Sequence, residues 1–345
     1  MSTPNKRPAT GALIGSALGD AMGQPTEFLS SVTRIEAEFG PWRGTRLPVR
    51  YDGVALVTDD TEMTLAVARA LRQVQEGGGL AQPQRVTGAL IERFGAWLDH
   101  PGIAPGKTCM TACRALRKGT PWAQATLPNS KGCGANMRVA PVALIPGPAP
   151  HQRALIAQLQ SALTHGHPTA LAASDLTAYA IRLLAHGTAP ALLPELLLAY
   201  ARASVLTPPP GWGQWLGDLA PQGAAYVDGG WQECISVLER LAAAAAPGGV
   251  DPEADPCLAT GAAWIAEEAL ATGLLCFLLF PDDPVTAVRR AACTSGDSDS
   301  IAALTGAFAG AYHGIAGWPP EWVSQVEHSK ELLALGGEWD EEGSF

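Results

Sequence analysis

Apolar and small residues recur along this chain with a helical period of about 3.6, whereas apolar and polar residues rarely alternate as they do in strands. Glycine- and proline-rich stretches interrupt the pattern and mark the turns. Residues 28–57 lack clear periodicity, and residues 207–215 are predicted to open a long loop. About a dozen helices are predicted, at residues 10–23, 60–76, 84–99, 108–118, 134–145, 151–164, 168–186, 190–203, 229–246, 261–279, 283–293, 300–314 and 319–336. The chain is therefore expected to be all-α.

Two of these helices carry glycines at every fourth position. The first has four glycines from Gly11 to Gly23, and the second has three from Gly306 to Gly314. Such ridges lower helix propensity but allow another backbone to approach closely. We expect the two helices to cross at the centre of the fold, although each ridge alone is equally suited to a third helix. The crossing would bring Asp20 and Glu27 towards the loop before the second helix.

Two acidic clusters, at residues 58–62 and 297–300, lie more than two hundred residues apart. If they form one site, the whole chain must close into one unit. We therefore predict a single domain over residues 1–345, with an ordered core at about 8–336 and a loose acidic tail at 337–345.

The composition narrows the function classes. Hydrophobic residues make up 47% and charged residues 16%, which is enough for a large core. The net charge of −10 argues against general affinity for nucleic acid or an anionic membrane, although a local basic pocket stays open. No stretch resembles a signal peptide or reaches the ~18 apolar residues of a membrane span, so a cytoplasmic location is expected. The seven cysteines are irregularly spaced and suggest no disulfide framework.

Both acidic clusters stand at the predicted start of a helix. Ser300 is the expected N-cap of its helix, and a helix N-terminus favours an anion by about 0.3–1 kcal/mol. Capping alone is one explanation, but it accounts for one carboxylate rather than several. If both helix starts face one point, four aspartates converge, and divalent cations would have to neutralise them. Oxygen ligands without His or Cys favour Mg²⁺, Mn²⁺ or Ca²⁺ over Zn²⁺.

These clusters resemble the two metal-binding signatures of the ADP-ribosylglycohydrolase family, the dinitrogenase-reductase-activating type. The segments 11–27, 132–141 and 164–168 resemble further family motifs and follow in the same order. The resemblance implies a compact orthogonal helical bundle. It also implies a monomeric, dinuclear Mg²⁺-dependent hydrolase that cleaves the glycosidic bond at the anomeric carbon of ADP-ribose. Its substrate would be an ADP-ribosylated protein, nucleic acid or small molecule.

The resemblance also assigns roles to individual residues. Two Mg²⁺ ions are expected, with Mn²⁺ as the alternative. The implied metal ligands are Thr58, Asp59, Asp60, Asp297, Asp299 and Ser300. Ser300 stands where the family usually has threonine, and Ser295 and Ser298 replace its usual glycine and threonine. Glu27 matches the glutamate implicated in catalysis or in gating the metals, whereas a surface role is the alternative.

A glycine loop is expected to bind the phosphates and the distal ribose. The implied substrate-binding residues are Ser130, Gly132, Cys133, Gly134 and His165. Cys133 stands where several members have asparagine. The alternatives are that the loop is a plain turn and that His165 has only a capping or structural role. Trp264 is predicted to lie in the core. Members that act on ADP-ribosylarginine carry an aspartate where this chain has Ala104, which argues against an arginine-linked substrate unless Asp99 or Asp20 substitutes.

Two other functions compete with the hydrolase. One is a catalytically weak ADP-ribose-binding module, and the other is a metal-dependent phosphohydrolase of an ADP-ribose-like nucleotide. The intact acidic clusters and Glu27 favour the enzyme over the binding module. Release of ADP-ribose rather than AMP would separate the two enzymes.

Overall fold

The computed structural model describes residues 6–343 and is built from α-helices. Nine helices form the first half: α1 (Pro8–Gly23), α2 (Val32–Phe39), α3 (Asp59–Glu76), α4 (Pro83–Trp97), α5 (Lys107–Arg117), α6 (Trp122–Ala125), α7 (Ala140–Leu144), α8 (Pro150–Ala162) and α9 (Pro168–Ala185). Nine follow: α10 (Leu193–Leu206), α11 (Trp212–Leu216), α12 (Asp228–Ala245), α13 (Cys257–Thr260), α14 (Ala266–Leu279), α15 (Pro284–Ala291), α16 (Ser298–His313), α17 (Pro320–Gln325) and α18 (Ser329–Glu342). Thirteen of them have at least eight residues.

The all-α prediction is confirmed. Between residues 6 and 343 the backbone forms isolated β-bridges but no strand. Two of the bridges, Thr58 with Ile103 and Gly132 with Ile265, tie together loops that border the acidic clusters. None of the helices in this range is both long and apolar enough to cross a membrane.

The central element is the crossing of α1 and α16, as the glycine ridges predict. Every residue of α1 from Ala9 to Gly23 is buried, which explains why the helix is apolar on all sides apart from Thr10, Ser16 and Asp20. A Cβ placed on Gly15 would overlap the backbone of Gly306, and one on Gly310 would overlap Gly11. Glycine is therefore required at these positions because the two backbones touch. The α1 helix ends at the first residues of α16.

Six expectations about the elements were wrong. The predicted helix at 319–336 is divided into α17 and α18, and the loop expected to open at 207–215 contains the start of α11. A helix, α2, lies inside the segment expected to be irregular. The predicted helix at 134–145 is a 3₁₀ turn followed by the short α7. The predicted helix at 261–279 begins only at Ala266, because residues 261–265 are extended or turned and Ala263 has a positive φ of 66°. Ser300 is not an N-cap, because α16 begins at Ser298 and Asp297 holds the cap position.

The prediction of a loose tail at 337–345 is also wrong for the residues that the structure describes, which end at 343. Residues 337–342 belong to α18, and Trp339 is almost fully buried. The carboxylate of Asp340 accepts the backbone N–H groups of Ala9 and Thr10 at 2.9 and 3.0 Å, and the Thr10 hydroxyl at 2.6 Å. The C-terminal helix thus caps the first helix.

Candidate metal and substrate site

The start of α3 is held in place by a carboxylate from α1. Asp20 is fully buried and accepts the N–H of Thr58 at 3.1 and 3.0 Å and the N–H of Thr61 at 3.1 Å. These N–H groups belong to a helix N-terminus, which leaves its first donors without partners inside the helix. Asp20 therefore satisfies them and fixes the directions of Asp59 and Asp60.

The start of α16 lies against the end of α1. Ser298 Oγ donates to Gly23 O at 3.1 Å and lies 2.8 Å from Thr26 Oγ1, which in turn donates to Ala292 O at 2.6 Å. The N–H of Ser300 donates to Asp299 Oδ1 at 2.8 Å. These contacts hold the α16 N-terminus beside the turn that carries Glu27.

The two helix starts meet, as the site prediction requires. Ser300 Oγ, on α16, donates to Asp60 Oδ2, on α3, at 3.0 Å. Carboxylate oxygens of Glu27, Asp297 and Asp299 lie within 4.8 Å of one another. The structure therefore brings residues from α3, from α16 and from the turn after α1 to one buried point.

Crowding and burial make these carboxyl groups hard to ionise. Burial, followed by the charge of Asp299, raises the pKa of Asp20 to about 7 and the pKa of Glu27 to about 8. Burial raises the pKa of Asp59 to about 7, although the Gly106 N–H at 3.0 Å opposes this. Burial and the charge of Asp299 also raise the pKa values of Asp60 and Asp297 well above their usual range. Without counter-charges, the cluster cannot hold all its negative charges at neutral pH.

The donor set fits a divalent metal ion. Three carboxylates lie within reach of one another, and Glu27 Oε2 is buried without a hydrogen-bond partner among residues 6–343. A cation held by the aspartates would balance the charges and lie close to the orphaned oxygen. Carboxylate and hydroxyl oxygens are the ligands of hard divalent ions.

The glycine loop lies directly beside the acidic cluster. The N–H of Cys133 donates to Trp264 O at 3.2 Å, and the N–H of Ala266 donates to Lys131 O at 2.8 Å. Cys133 Sγ donates to Asp297 Oδ2 at 2.9 Å, and burial together with the Asp297 charge raises the pKa of this thiol well above its usual range. Cys133 is therefore a neutral thiol facing a predicted metal ligand.

His165 lies underneath this loop. The residue is 2% exposed, and its Nδ1 lies 2.8 Å from Thr164 Oγ1. Burial and nearby Arg138 lower the pKa of His165 to about 3, so the ring is neutral at pH 7. A Cβ on Gly134 would come within 2.9 Å of the ring, which explains a glycine there. The structure shows His165 supporting the loop, while substrate contact by this residue stays a prediction. The Ser130 hydroxyl lies 2.9 Å from Thr108 Oγ1 on α5.

An aromatic pair stands at the mouth of the site. Phe28 is 72% exposed and Trp264 is 47% exposed, and their rings stack with centroids 6.4 Å apart and planes 19° apart. The core position expected for Trp264 is wrong, because its segment is not helical. Phe28 follows Glu27 in the sequence, and the carbonyl of Trp264 accepts the N–H of Cys133. The pair therefore borders both the acidic cluster and the glycine loop.

Sequence reasoning missed two supporting contacts. It placed Asp20 near the site but did not predict that Asp20 anchors α3. It also missed Lys131, whose Nζ lies 2.6 Å from carboxylate oxygens of both Glu233 and Glu267. A lone lysine within a glycine loop was the available signal, but its partners lie more than a hundred residues away in the sequence.

Comparisons with known proteins identify the family and the fold. Residues 1–343 match the family model described as ADP-ribosylglycohydrolase. The ADP-ribosyl-[dinitrogen reductase] glycohydrolase of Rhodospirillum rubrum is 33% identical over 175 residues, which are 48% of this chain and 53% of that protein. The ADP-ribosylarginine hydrolase Tri1 of Pseudomonas putida (strain GB-1) is 26% identical over 345 residues, 96% of this chain and 77% of that protein. A solved structure of an ADP-ribosylglycohydrolase-related protein complex has a TM-score of 0.62 at 23% identity, with 98% of both chains covered, and supports the fold.

Proposed function

Because the chain belongs to the ADP-ribosylglycohydrolase family, we propose that it is a dinuclear Mg²⁺-dependent hydrolase that cleaves the bond between the anomeric carbon of ADP-ribose and its acceptor. Mn²⁺ is the alternative ion. The observation that carries the proposal is the meeting of the α3 and α16 starts with Glu27 at one buried point. Such a cluster is costly to bury unless cations and a substrate use it.

The ions would be held by oxygens from both helix starts. The proposed ligands are Thr58, Asp59, Asp60, Asp297, Asp299 and Ser300. Four aspartates carry the charge that two divalent ions balance. When bound, the ions would supply Lewis-acid binding for the neighbouring hydroxyl groups of the ribose.

Glu27 is the proposed acid–base residue. It lies beside Asp297 and Asp299, and without bound cations burial raises its pKa to about 8. A carboxyl group held beside the reacting atoms can accept a proton from water or donate one to a leaving group. We propose that Glu27 takes a proton from the attacking water or delivers one to the leaving group.

The remaining parts of the nucleotide would lie along the glycine loop and the aromatic pair. Gly132 and Gly134 let the loop pack closely on the His165 ring, and backbone N–H groups in such turns bind anions. The stacked rings of Phe28 and Trp264 offer a planar apolar surface at the mouth. The site therefore has separate places for a sugar, a phosphate and a base.

We propose that the bond is not the arginine N-glycosidic one. Cleavage of that bond requires help for a strongly basic leaving group, and Ala104 supplies no carboxylate. Asp99 is an exposed residue whose Oδ1 pairs with Arg117 Nη1 at 2.7 Å. Asp20 is fully occupied by the start of α3. Neither carboxylate is free to replace the missing one, so an O-linked or otherwise better leaving group is favoured, although the relative from Pseudomonas putida is named for arginine.

The test is a substrate panel with a matched pair of variants. The protein with Mg²⁺ is incubated with ADP-ribosylated arginine, serine and nucleobase, and with O-acetyl-ADP-ribose, and the products are separated chromatographically. We expect free ADP-ribose from an O-linked substrate. Glu27→Gln should lower kcat by about 10² to 10⁴ while ADP-ribose still binds. The exposed Glu38→Gln should leave kcat unchanged.

Each contrary result points to a different conclusion. Release of AMP would identify a phosphohydrolase, and ADP-ribose binding without turnover on any substrate would identify a binding module. Full activity of Glu27→Gln would reduce this residue to a structural role. Efficient cleavage of ADP-ribosylarginine by the wild type that survives Asp99→Ala would disprove the assignment of the linkage.

A further inference from the structure

A second cavity of about 520 Å³ lies between α8, α9 and α10 and the segment 207–210. None of its lining residues belongs to the acidic cluster or the glycine loop. Its lining includes Tyr179, which lies twelve residues along α9 from the N-cap residue His167. At the rise of an α-helix, these two positions are about 18 Å apart along the helix axis. Cavities of about 300 to 1,000 Å³ are typical of small-molecule sites.

One part of the lining carries two guanidinium groups without counter-charges. Arg153 is 4% exposed, and its Nη2 donates to Ile145 O at 2.9 Å and to Pro148 O at 3.4 Å. Its buried Nε has no partner within residues 6–343. Burial, followed by the nearby charge of Arg182, lowers the pKa of Arg153 to about 9. Within the same range, neither arginine forms an ion pair with a carboxylate, so a bound anion would relieve their repulsion.

The aromatic part of the lining is held rigidly. Tyr179 and Tyr200 stack with ring centroids 4.2 Å apart and planes at 20°. The Tyr200 hydroxyl donates to Asp175 Oδ1 at 3.0 Å, and Gln158 Nε2 donates to Asp175 Oδ2 at 2.9 Å. Asp175 is thus used by this network rather than by the arginines. Fixed tyrosine rings beside unpaired guanidinium groups are suited to a ligand that is both planar and anionic.

We propose that this cavity is a second ligand site, which binds a small aromatic compound carrying a carboxylate or a phosphate. The anionic group pairs with Arg182, and the ring lies beside Tyr179. The remaining lining, which includes Pro150, Leu183 and Pro208, covers the apolar body of the ligand.

The proposal is tested by titrating the full chain with three matched probes in a calorimeter. The probes are 2-naphthoate, 2-naphthyl phosphate and the neutral 2-naphthamide. One or both anions should bind with a Kd below about 1 mM, and the amide should bind about tenfold more weakly or worse, since it lacks charge-assisted hydrogen bonds. The stronger of the two anions identifies the preferred acidic group.

Two variants place the ligand in the cavity. Arg182→Gln should weaken the stronger anion by about tenfold or more. Tyr179→Ala should weaken all three probes. Arg202→Gln is the control. Arg202 lies on α10, one of the helices around the cavity, but it is exposed and pairs with Glu239 at 2.9 Å. Thermal melting checks that each variant is folded, and Arg182→Lys, which retains the charge, should keep part of the affinity.

The inference is wrong if neither anion saturates the protein at 5 mM, about five times the expected upper limit of Kd. It is also wrong if the amide binds as well as the acids, or if Arg182→Gln and Arg202→Gln bind alike. These measurements need neither Mg²⁺ nor turnover, so their outcome is independent of the proposed hydrolase activity.

Discussion

Trp264 and Phe28 differ from most large apolar side chains of this protein because they remain exposed beside a polar site. Stacking of a base on an aromatic side chain contributes about 1–3 kcal/mol. We therefore expect Trp264→Ala to raise KM for the ADP-ribosyl substrate by about 5- to 150-fold with a smaller change in kcat. Tyr51→Ala is the control, because Tyr51 is 95% exposed and does not line the cluster or its loop. A fall in kcat at constant KM would contradict a role in binding.

Some of the site residues could be predicted from the sequence and others could not. The acidic residues could be assigned because their chemistry is local: hydroxyl and carboxylate groups stand together in two short stretches. The exposure of Trp264 could not be assigned in this way. It follows from the turn at 261–265, where Ala263 adopts a positive φ, and helical spacing gave no sign of that turn. The partner of Cys133 likewise lies 164 residues away, on Asp297.

Among the elements, the crossing of α1 and α16 makes the sharpest stability prediction. Gly306→Ala would place a Cβ inside the backbone of Gly15, so the helices must separate. We expect a loss of about 1–3 kcal/mol or more in the free energy of unfolding, measured by urea denaturation. Gly88→Ala is the matched control. Gly88 lies within α4 with open space around it, and alanine there should stabilise the protein by up to about 1 kcal/mol. Equal effects of the two substitutions would contradict the close crossing.

The cap on α1 is a second prediction at the scale of elements. The N-cap residue Arg7 provides no side-chain acceptor, and Asp340 on α18 accepts the first N–H groups instead. Asp340→Ala should lower the free energy of unfolding by about 0.5–2 kcal/mol, the range found for lost caps. Glu341→Ala removes the exposed neighbouring carboxylate and should change little. Identical urea midpoints for the two variants would show that the cap contributes nothing.

The same cap explains an error in the predicted elements. Most helix bounds agree with the sequence because glycine and proline mark them locally, as at α3, α9 and α16. The last residues appear loose in isolation because they are acidic and contain glycine. They are ordered by a contact across 330 residues, which periodicity does not report. The eight-residue α2 was missed because it is short and buries only Ile35 fully.

The whole molecule brings carboxylates from both ends of the chain to one buried point. The stability of the folded protein should therefore depend on both the pH and the metal ion. The pKa values of Asp20 and Asp59 are raised to about 7 and that of Glu27 to about 8, against about 4 in an unfolded chain. The folded state therefore binds more protons than the unfolded state between about pH 4 and pH 8. The stabilisation from these groups is complete below pH 4 and is lost as the pH rises through the folded pKa values.

We therefore expect the Tm of the protein in EDTA to fall between pH 5 and pH 8. Mg²⁺ should raise the Tm, and the rise should be larger at pH 8, because protons compete with the ions for the carboxylates. Asp299 is the charge that raises the pKa of most of its neighbours. Asp299→Asn should consequently flatten the pH dependence in EDTA and weaken the effect of Mg²⁺, whereas the exposed Asp52→Asn should do neither. A Tm that does not change with pH in EDTA would contradict the raised pKa values, and one that responds to Mg²⁺ equally in both variants would show that the cluster is not the metal site.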